Sequence, residues 1–251
     1  MKSALITGAG SGIGKAIAKR LVADGWNITI TGRTKEKLEE MRAESADAEK
    51  VQIVTGDVSD RGSVESVLQA HLSKFGGLDT LINNAAIADG GPIQEVKYED
   101  WKKLLSINVD GVFHTCSLAT PHLLKSQGSI VNVSSVSGLG GDWGFSPYNT
   151  SKGAVSNFTR ALALELGKQG VRVNAVAPSL TETDMAAGVM ENDEVMEKFR
   201  ERIPMGRPAQ PSEVASVVAF LIGPDAGFVN GVILPVDGGL SASNGQPPLG
   251  M

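Results

Sequence analysis

The sequence predicts an α/β fold in which one doubly wound, parallel sheet of seven strands is covered by helices on both faces. Short apolar runs alternate with segments whose apolar residues recur at helical spacing, along most of the 251 residues. The connections between these segments are short, as expected for strand–helix–strand units. A glycine-rich stretch at residues 7–14 follows the first apolar run, so a ligand-binding turn is expected where the carboxyl ends of the strands meet.

The first half of the chain supplies four strands and three helices. The strands are short runs rich in aliphatic and β-branched residues, at 4–6, 27–31, 51–54 and 81–82. The helices show apolar residues at helical spacing or a charged, surface-type pattern, at 15–22, 36–42 and 63–75.

The second half continues the alternation with longer helices. Three strands follow the same apolar pattern, at 129–133, 171–176 and 232–234. A helix is predicted before each of these strands, at 98–124, 151–169 and 212–222.

One segment interrupts this rhythm, because no strand is predicted between Ala177 and Pro211. Insertions beyond strand ends often cover ligand sites, so we expect a lid with two short helical pieces at about 178–210. No linker marks a second domain, so residues 1–251 are expected to form one domain, with a flexible tail at 244–251.

The composition excludes several classes of function. A net charge of −5 without a basic cluster argues against a nucleic-acid partner. No run approaches the ~18 apolar residues of a membrane span, and a strand at the start of the chain leaves no room for a signal peptide. The one cysteine, Cys116, cannot form an internal disulfide, which suits a reducing cytoplasm. The three histidines lack metal-ligand spacing, so no metal is expected.

The glycine-rich stretch has the composition of a phosphate-binding turn. Glycine has no Cβ and adopts positive φ, so the backbone can turn tightly and approach a ligand. The N–H groups and positive dipole end of the following helix would face that ligand. We interpret the turn as a pyrophosphate site; the alternative is a tight turn that binds nothing. The expected contacts are Gly8, Ser11, Gly12, Ile13 and Gly14.

Tyr148 and Lys152 are four residues apart at the start of a helix expected to follow Pro147, and therefore share a face. A phenol is a poor acid or base at neutral pH, but a neighbouring ammonium favours its ionised form and lowers its pKa. The pair is thus a candidate proton donor and acceptor. Serines at 134, 135 and 137 follow the fifth strand and reach the same edge; for any one of them, an ordinary polar loop is the alternative.

Together these motifs resemble the short-chain dehydrogenase/reductase family over essentially the full length. The glycine spacing of residues 7–14 matches that family, and Ser135 stands thirteen residues before Tyr148, as its catalytic serine does. Ala86 and Ser179 each replace a glycine of the family pattern. The other matching segments are 83–86, Asn108, Thr183 and 237–239.

The resemblance implies a Rossmann-like, NAD(P)-dependent oxidoreductase that interconverts a carbonyl compound and its secondary alcohol by hydride transfer. It implies that Tyr148 exchanges a proton with the substrate and that Lys152 lowers the phenol pKa and binds the nicotinamide ribose. It also implies that Ser135 polarises the carbonyl group and that Asn108 holds a water linked to Lys152. The further cofactor contacts it implies are Asp57, Val58, Asn84, Pro178 and Thr183.

The end of the second strand bears on the choice of cofactor. Enzymes that prefer NAD carry an acid about 20 residues past the glycines, whereas Gly32 stands where the resemblance puts it. Arg33 follows, and a guanidinium suits the geometry of a phosphate, with Thr34 as a further donor. NADP(H) is therefore expected in preference to NAD(H). The alternative is that Arg33 stacks on the adenine of NAD or points to solvent.

Helix 151–169 is apolar on more than one side, so a homo-oligomer is expected, and the resemblance favours a tetramer that also pairs through helix 98–124. Trp143, Phe145 and the apolar lid favour an uncharged or partly apolar small-molecule substrate. A 3-oxoacyl thioester, a small ketone or diol, and a hydroxylated ring all stay open. The alternatives to this enzyme are a non-catalytic dinucleotide sensor on the same fold and a sugar-nucleotide epimerase or dehydratase.

Overall fold

The computed structural model describes residues 2–245, and residues 246–251 of the predicted tail lie outside the described residues. Seven parallel strands form one sheet in the order β3-β2-β1-β4-β5-β6-β7. The strands are β1 Ser3–Thr7, β2 Asn27–Gly32, β3 Val51–Thr55, β4 Thr80–Asn83, β5 Ser129–Val133, β6 Arg172–Pro178 and β7 Ile233–Val236. The predicted fold class is confirmed.

Helices cover both faces of this sheet. The α-helices of the described residues are α1 Gly12–Ala23, α2 Lys35–Ala43, α3 Arg61–Phe75, α4 Tyr98–Leu105, α5 Gly111–Ser126, α6 Ser146–Leu166, α7 Ala187–Met190, α8 Asp193–Arg202 and α9 Pro211–Ile222. Buried residues of α1, α2 and α9 form the core on one face, and those of α3, α5 and α6 form the core on the other. None of the helices in residues 2–245 combines the length and the hydropathy that crossing a bilayer requires.

The chain reverses its winding direction between β1 and β4, which are neighbours in the sheet but far apart in sequence. At such a switch point the connections leave in opposite directions and open a crevice beyond the carboxyl ends of the strands. The glycine turn lies at the end of β1, on one side of this crevice. The segment after β4 lies on the other side.

Two predicted helices differ from those observed. The segment predicted as one helix over 98–124 contains a π-helical turn, Ser106–Asp110, between α4 and α5. Helix α6 begins at Ser146, five residues before the predicted start, with Pro147 in its first turn, where proline costs no hydrogen bond. Tyr148 therefore lies inside α6 together with Lys152.

Candidate active site

A pocket of about 400 Å³ lies beyond the carboxyl ends of the strands, at the switch point. It runs from the glycine turn and the end of β2 to the start of α6 and the segment after β6. It brings together most of the residues expected from the sequence: Gly8, Ser11, Gly12, Ile13, Arg33, Asp57, Val58, Asn84, Ser135, Tyr148, Lys152, Pro178 and Thr183. Gly14, Thr34 and Asn108 are not part of its lining.

The glycine turn is packed so closely that side chains would not fit. Gly8 has a φ of +64°, and a Cβ added there would lie 2.7 Å from the Cα of Ala85. A Cβ on Gly14 would lie 2.3 Å from the carbonyl oxygen of Gly8, so Gly14 shapes the turn from behind. The Asn84 Nδ2 group donates to the carbonyls of Thr7 and Gly8 at 3.1 and 2.9 Å. Asn84 therefore fixes the turn, in addition to bordering the pocket.

The end of the pocket at β2 has the groups that an adenosine moiety needs. The Thr31 hydroxyl is buried and has no hydrogen-bond partner among the described residues. The Asp57 carboxylate accepts hydrogen bonds from the backbone N–H and the hydroxyl of Ser59. Burial opposes its ionisation, but these bonds and the charge of Arg33 keep the pKa of Asp57 below its usual value. An unsatisfied hydroxyl, a carboxylate and a glycine cradle fit a dinucleotide.

Arg33 is exposed at this end, as are Thr34 and the start of α2. Within residues 2–245, its guanidinium makes no hydrogen bond or ion pair, and its charge acts on the Asp57 carboxylate. Gly32 carries no side chain that would repel an anion. A phosphate group could therefore pair with Arg33 without first displacing a protein carboxylate.

The Tyr148 and Lys152 side chains meet at the other end of the pocket. The Lys152 Nζ lies 5.6 Å from the centroid of the Tyr148 ring and donates to the carbonyl of Val133 at 2.8 Å. Burial lowers the pKa of Lys152 to about 8. Burial also raises the pKa of Tyr148 to about 12, and the charge of Asp142 adds to this, whereas a hydrogen bond with Ser135 opposes it.

The direction of the Tyr148 shift corrects the expectation that Lys152 lowers the pKa of this phenol. Removing the phenol from water disfavours its ionised form. In this structure the ammonium is directed at the Val133 carbonyl, so it does not offset that cost. The phenol is therefore fully protonated at neutral pH.

Ser135 follows β5 and reaches the same place, beside Tyr148. Its oxygen accepts the backbone N–H of Ser137 at 3.1 Å, and its hydroxyl donates to the Ser137 Oγ at 3.1 Å. Ser134 instead bonds Ser156 and the carbonyl of Lys152, which attaches β5 to α6. Of the three serines, Ser134 and Ser135 line the pocket and Ser137 does not.

Asn108 lies in the π-helical turn, where it connects two other segments. Its Nδ2 donates to the Ile87 carbonyl at 2.8 Å and to the Ser151 hydroxyl at 3.0 Å, and its Oδ1 accepts the Ile87 N–H at 2.9 Å. These bonds attach the segment after β4 to α6, beside Lys152. They give the side chain a positioning role; the water that the resemblance assigns to Asn108 stays a prediction.

The segment after β6 reaches over the glycine turn. The Thr183 methyl group would lie 2.9 Å from a Cβ on Gly12. Next to it, Asp184 forms an ion pair of 3.0 Å with Lys37 at the start of α2. This ion pair is exposed, so it contributes little stability by itself, but it connects the two sides of the pocket.

Sequence reasoning missed Asp142 and Asn149, which are connected to Ser135 through Ser137. The Ser137 hydroxyl donates a short hydrogen bond to the Asp142 carboxylate, and Asn149 donates to the Asp142 carbonyl at 3.1 Å. The signal in the sequence is weak, because Asp142 appears as one acid in the glycine-rich run 138–144.

Known proteins resemble the chain along nearly its whole length. A family model described as enoyl-(acyl carrier protein) reductase matches residues 8–241. Meso-2,3-butanediol dehydrogenase of Serratia marcescens is 46% identical over 248 residues, which are 99% of this chain and 98% of that protein. A variant of actinorhodin polyketide ketoreductase, solved with NADPH, is 38% identical with a TM-score of 0.92, covering 96% of this chain and 98% of its own.

A third relative was solved with the other nicotinamide cofactor. The 3-ketoacyl-(acyl-carrier-protein) reductase of Brucella melitensis, in complex with NADH, is 37% identical with a TM-score of 0.89. The match covers 96% of this chain and 98% of that chain. These relatives have different substrates and cofactors, so their likeness gives the family and the class of reaction.

Proposed function

The chain belongs to the short-chain dehydrogenase/reductase family, and from this membership and the geometry of the site we propose that it interconverts a small ketone and its secondary alcohol. The observation that carries the proposal is the convergence of Ser135, Tyr148 and Lys152 at one end of a pocket whose other end is lined by the glycine turn and the end of β2. A nicotinamide cofactor supplies the hydride when bound. The protein supplies position and proton transfer.

Tyr148 is the proton donor in reduction. Its phenol is protonated at neutral pH because burial raises its pKa to about 12, so it can transfer a proton to a developing alkoxide. Ser135 accepts the N–H of Ser137 and donates its hydroxyl to the Ser137 Oγ; on substrate binding that hydroxyl would turn from Ser137 to the carbonyl oxygen. Lys152 lies beside the ring, and its ammonium would favour the phenolate that remains after transfer once it turns from the Val133 carbonyl toward the phenol oxygen.

The exposed guanidinium of Arg33 and the absent acid at Gly32 support a preference for NADP(H) over NAD(H). Asp57 faces the same region, so its negative charge limits this preference. The glycine turn, from Gly8 to Gly14, would hold the pyrophosphate of either cofactor.

The butanediol dehydrogenase relative and the pocket lining together favour a small, uncharged substrate. Met185 and Val189, from the segment after β6, line the pocket beside Leu180. We assign this segment, at about 178–210, as a lid whose apolar side excludes water from the reacting atoms. The chain from 1 to 251 acts as one domain in this proposal.

We also propose that the chain forms a homotetramer. Helix α6 buries Val155 and Leu166 in its own core but leaves Leu164 86% exposed, and α5 leaves Phe113 52% exposed. Large apolar side chains at such exposure are typical of surfaces that pair in an oligomer.

A substrate panel with a pair of tyrosine variants tests the proposed function. Small ketones and secondary alcohols would be offered with both cofactors, and the reduced nicotinamide would be followed by absorbance. Tyr148→Phe should lower kcat by about 10²–10⁴-fold, since it removes only the hydroxyl that moves the proton. The other tyrosine of the chain, Tyr98, is exposed on α4, so Tyr98→Phe is the matched control. Full activity of Tyr148→Phe, or cofactor binding without turnover of any carbonyl compound, would contradict the proposal.

A further inference from the structure

Beside Ser135 lies a carboxylate that neither the cofactor pocket nor the proton transfer uses. The Asp142 side chain accepts a short hydrogen bond from the Ser137 hydroxyl, and Ser137 in turn accepts one from the Ser135 hydroxyl. The carboxylate is thus two hydrogen bonds away from the oxygen expected to polarise the substrate. Its negative charge also acts on the Tyr148 phenol.

The loop that carries this carboxylate is held in place although Asp142 is exposed. Asn149, the residue after Tyr148 in α6, donates to the Asp142 carbonyl at 3.1 Å. The neighbouring Gly144 carbonyl accepts the Gly91 N–H at 2.6 Å, so the segment after β4 supports the same loop. An exposed acid on a glycine-rich loop would otherwise sample many orientations, at an entropic cost to any ligand that needs one of them.

The contacts of Asp142 give it no evident structural task. Helix α6 begins four residues later, with Phe145 at its N-cap, and Asp142 does not cap it. Among residues 2–245, the carboxylate accepts one hydrogen bond, from Ser137, and forms no ion pair. A carboxylate has room for about four hydrogen bonds, so most of its accepting capacity is free.

Two aromatic residues follow Asp142 in the same loop. Trp143 is 92% exposed, and Phe145 is 42% exposed and packs edge-on against Tyr148 at 6.4 Å between ring centroids. A polar group combined with nearby aromatic side chains is a usual composition of a small-ligand site. It suits a molecule that presents alkyl groups and one further hydrogen-bond donor.

We propose that Asp142, supported by Ser137, binds a second hydroxyl group on the carbon next to the reacting carbon, so that vicinal diols and α-hydroxyketones are the preferred substrates. This inference rests on the proposed function, because the first oxygen must lie between Ser135 and Tyr148. Ser137 bonds Ser135 on one side and Asp142 on the other, so the carboxylate lies beyond the position of the first oxygen, on the side where a hydroxyl of the adjacent carbon could reach it. The substrate hydroxyl donates to the carboxylate, and no bond is made or broken there.

The test compares substrates that differ in one hydroxyl group. The wild-type enzyme is assayed with 2,3-butanediol against 2-butanol, and with 3-hydroxy-2-butanone against 2-butanone. A hydrogen bond to a charged group corresponds to about ten- to hundred-fold in kcat/KM, and we expect the diol and the hydroxyketone to be favoured by that factor. Asp142→Ala should remove most of this preference. It should lower kcat/KM for the hydroxylated member of each pair far more than for its partner.

Two further variants separate recognition from positioning. Asp89→Ala is the matched control, because Asp89 is an exposed acid on the adjoining segment and its carboxylate bonds only the next backbone N–H, at 2.8 Å. It should leave the preference intact. In Ser137→Ala the carboxylate loses its support, so the preference should fall in part. Thermal melting and cofactor titration check that each variant is folded.

The outcomes are distinguishable. If the wild type turns over 2-butanol as well as 2,3-butanediol, the inference is wrong and the proposed function stands. If Asp142→Ala and Ser137→Ala lower the rates for both members of a pair equally, Asp142 acts only by orienting Ser135, and the inference is again wrong. If the wild type reacts with none of the four compounds under either cofactor, both the proposed function and the inference are overturned.

Discussion

Replacing Arg33 with alanine tests how the pocket selects between the two nicotinamide cofactors. NADP(H) differs from NAD(H) by one phosphate at the adenosine end, where Arg33 is exposed beside Gly32. The guanidinium makes no ion pair with the described residues, so it is available without a competing partner. We expect Arg33→Ala to weaken NADPH and to leave NADH nearly unchanged.

The structure limits the size of this effect. A hydrogen bond to a charged group contributes roughly 1.5–3 kcal/mol, which corresponds to about ten- to a hundred-fold in affinity. Arg33 is solvent-exposed, and exposed charge pairs lie at the low end of such ranges. The expected loss of NADPH affinity is therefore about tenfold.

The assay is a titration of both cofactors by fluorescence, at two salt concentrations. Lys35→Ala serves as the control, since Lys35 is a nearby exposed cation already paired with Glu39 at 3.4 Å. A preference that depends on Arg33 should shrink at high salt, because exposed charges are screened. The reasoning would be refuted by a wild type that binds NADH more tightly, or by an Arg33→Ala variant that weakens both cofactors equally.

Three further predictions concern pH and assembly. For carbonyl reduction, kcat/KM should be constant below about pH 7 and should decrease above about pH 8. Lys152, whose pKa is about 8, loses its proton in this range, whereas Tyr148 stays protonated. A kcat/KM that rises through this range would contradict these roles. Burial lowers the pKa of His71 from 6.5 to about 4. As the pH falls, the histidine is therefore protonated in the unfolded chain before it is protonated in the folded one. The free energy of unfolding should decrease below about pH 6.5, by about 2 kcal/mol at pH 5. The pH dependence of urea unfolding, compared with His71→Gln, measures this, and equal dependence in both proteins would exclude His71 as its cause. Sedimentation should give a tetramer, and Phe113→Glu should dissociate it in part, since Phe113 is 52% exposed on α5; a wild-type monomer of 26.2 kDa at micromolar concentration would contradict the assembly.

The strands could be predicted because burial on both faces of a parallel sheet requires continuous apolar runs, which are visible in the sequence. The π-helical turn at Ser106–Asp110 could not be predicted in this way. Its residues have ordinary helical patterns, and the turn occurs where Asn108 bonds the segment at Ile87, far away in sequence. Local pattern therefore determined the type of element, and tertiary contacts determined its irregularities.

The candidate site also has features that local sequence pattern predicts and features that depend on tertiary contacts. The glycine turn and the pair of Tyr148 and Lys152 follow from local rules on backbone freedom and helical spacing. The pKa of Tyr148 is a property of the whole surroundings, because it depends on how much water the folded chain removes from the phenol. The support of Asp142 by Asn149 and Ser137 likewise joins residues whose contact no spacing rule predicts.

Helix α6 explains how so many separate segments reach one site in register. Successive polar positions along it bond the neighbouring elements, and each bond fixes a different group. Lys152 bonds β5 at Val133, and Ser151 bonds Asn108 of the π-helical turn. The remaining bonds join Asn149 with Asp142, Ser156 with Ser134, and Thr159 with Asn132. Because all of these partners are met by one rigid helix, a small shift of α6 would displace the phenol, the ammonium and the loop carboxylate together. The accuracy of the site thus depends on buried polar contacts between α6 and β5, which are costly to leave unmade.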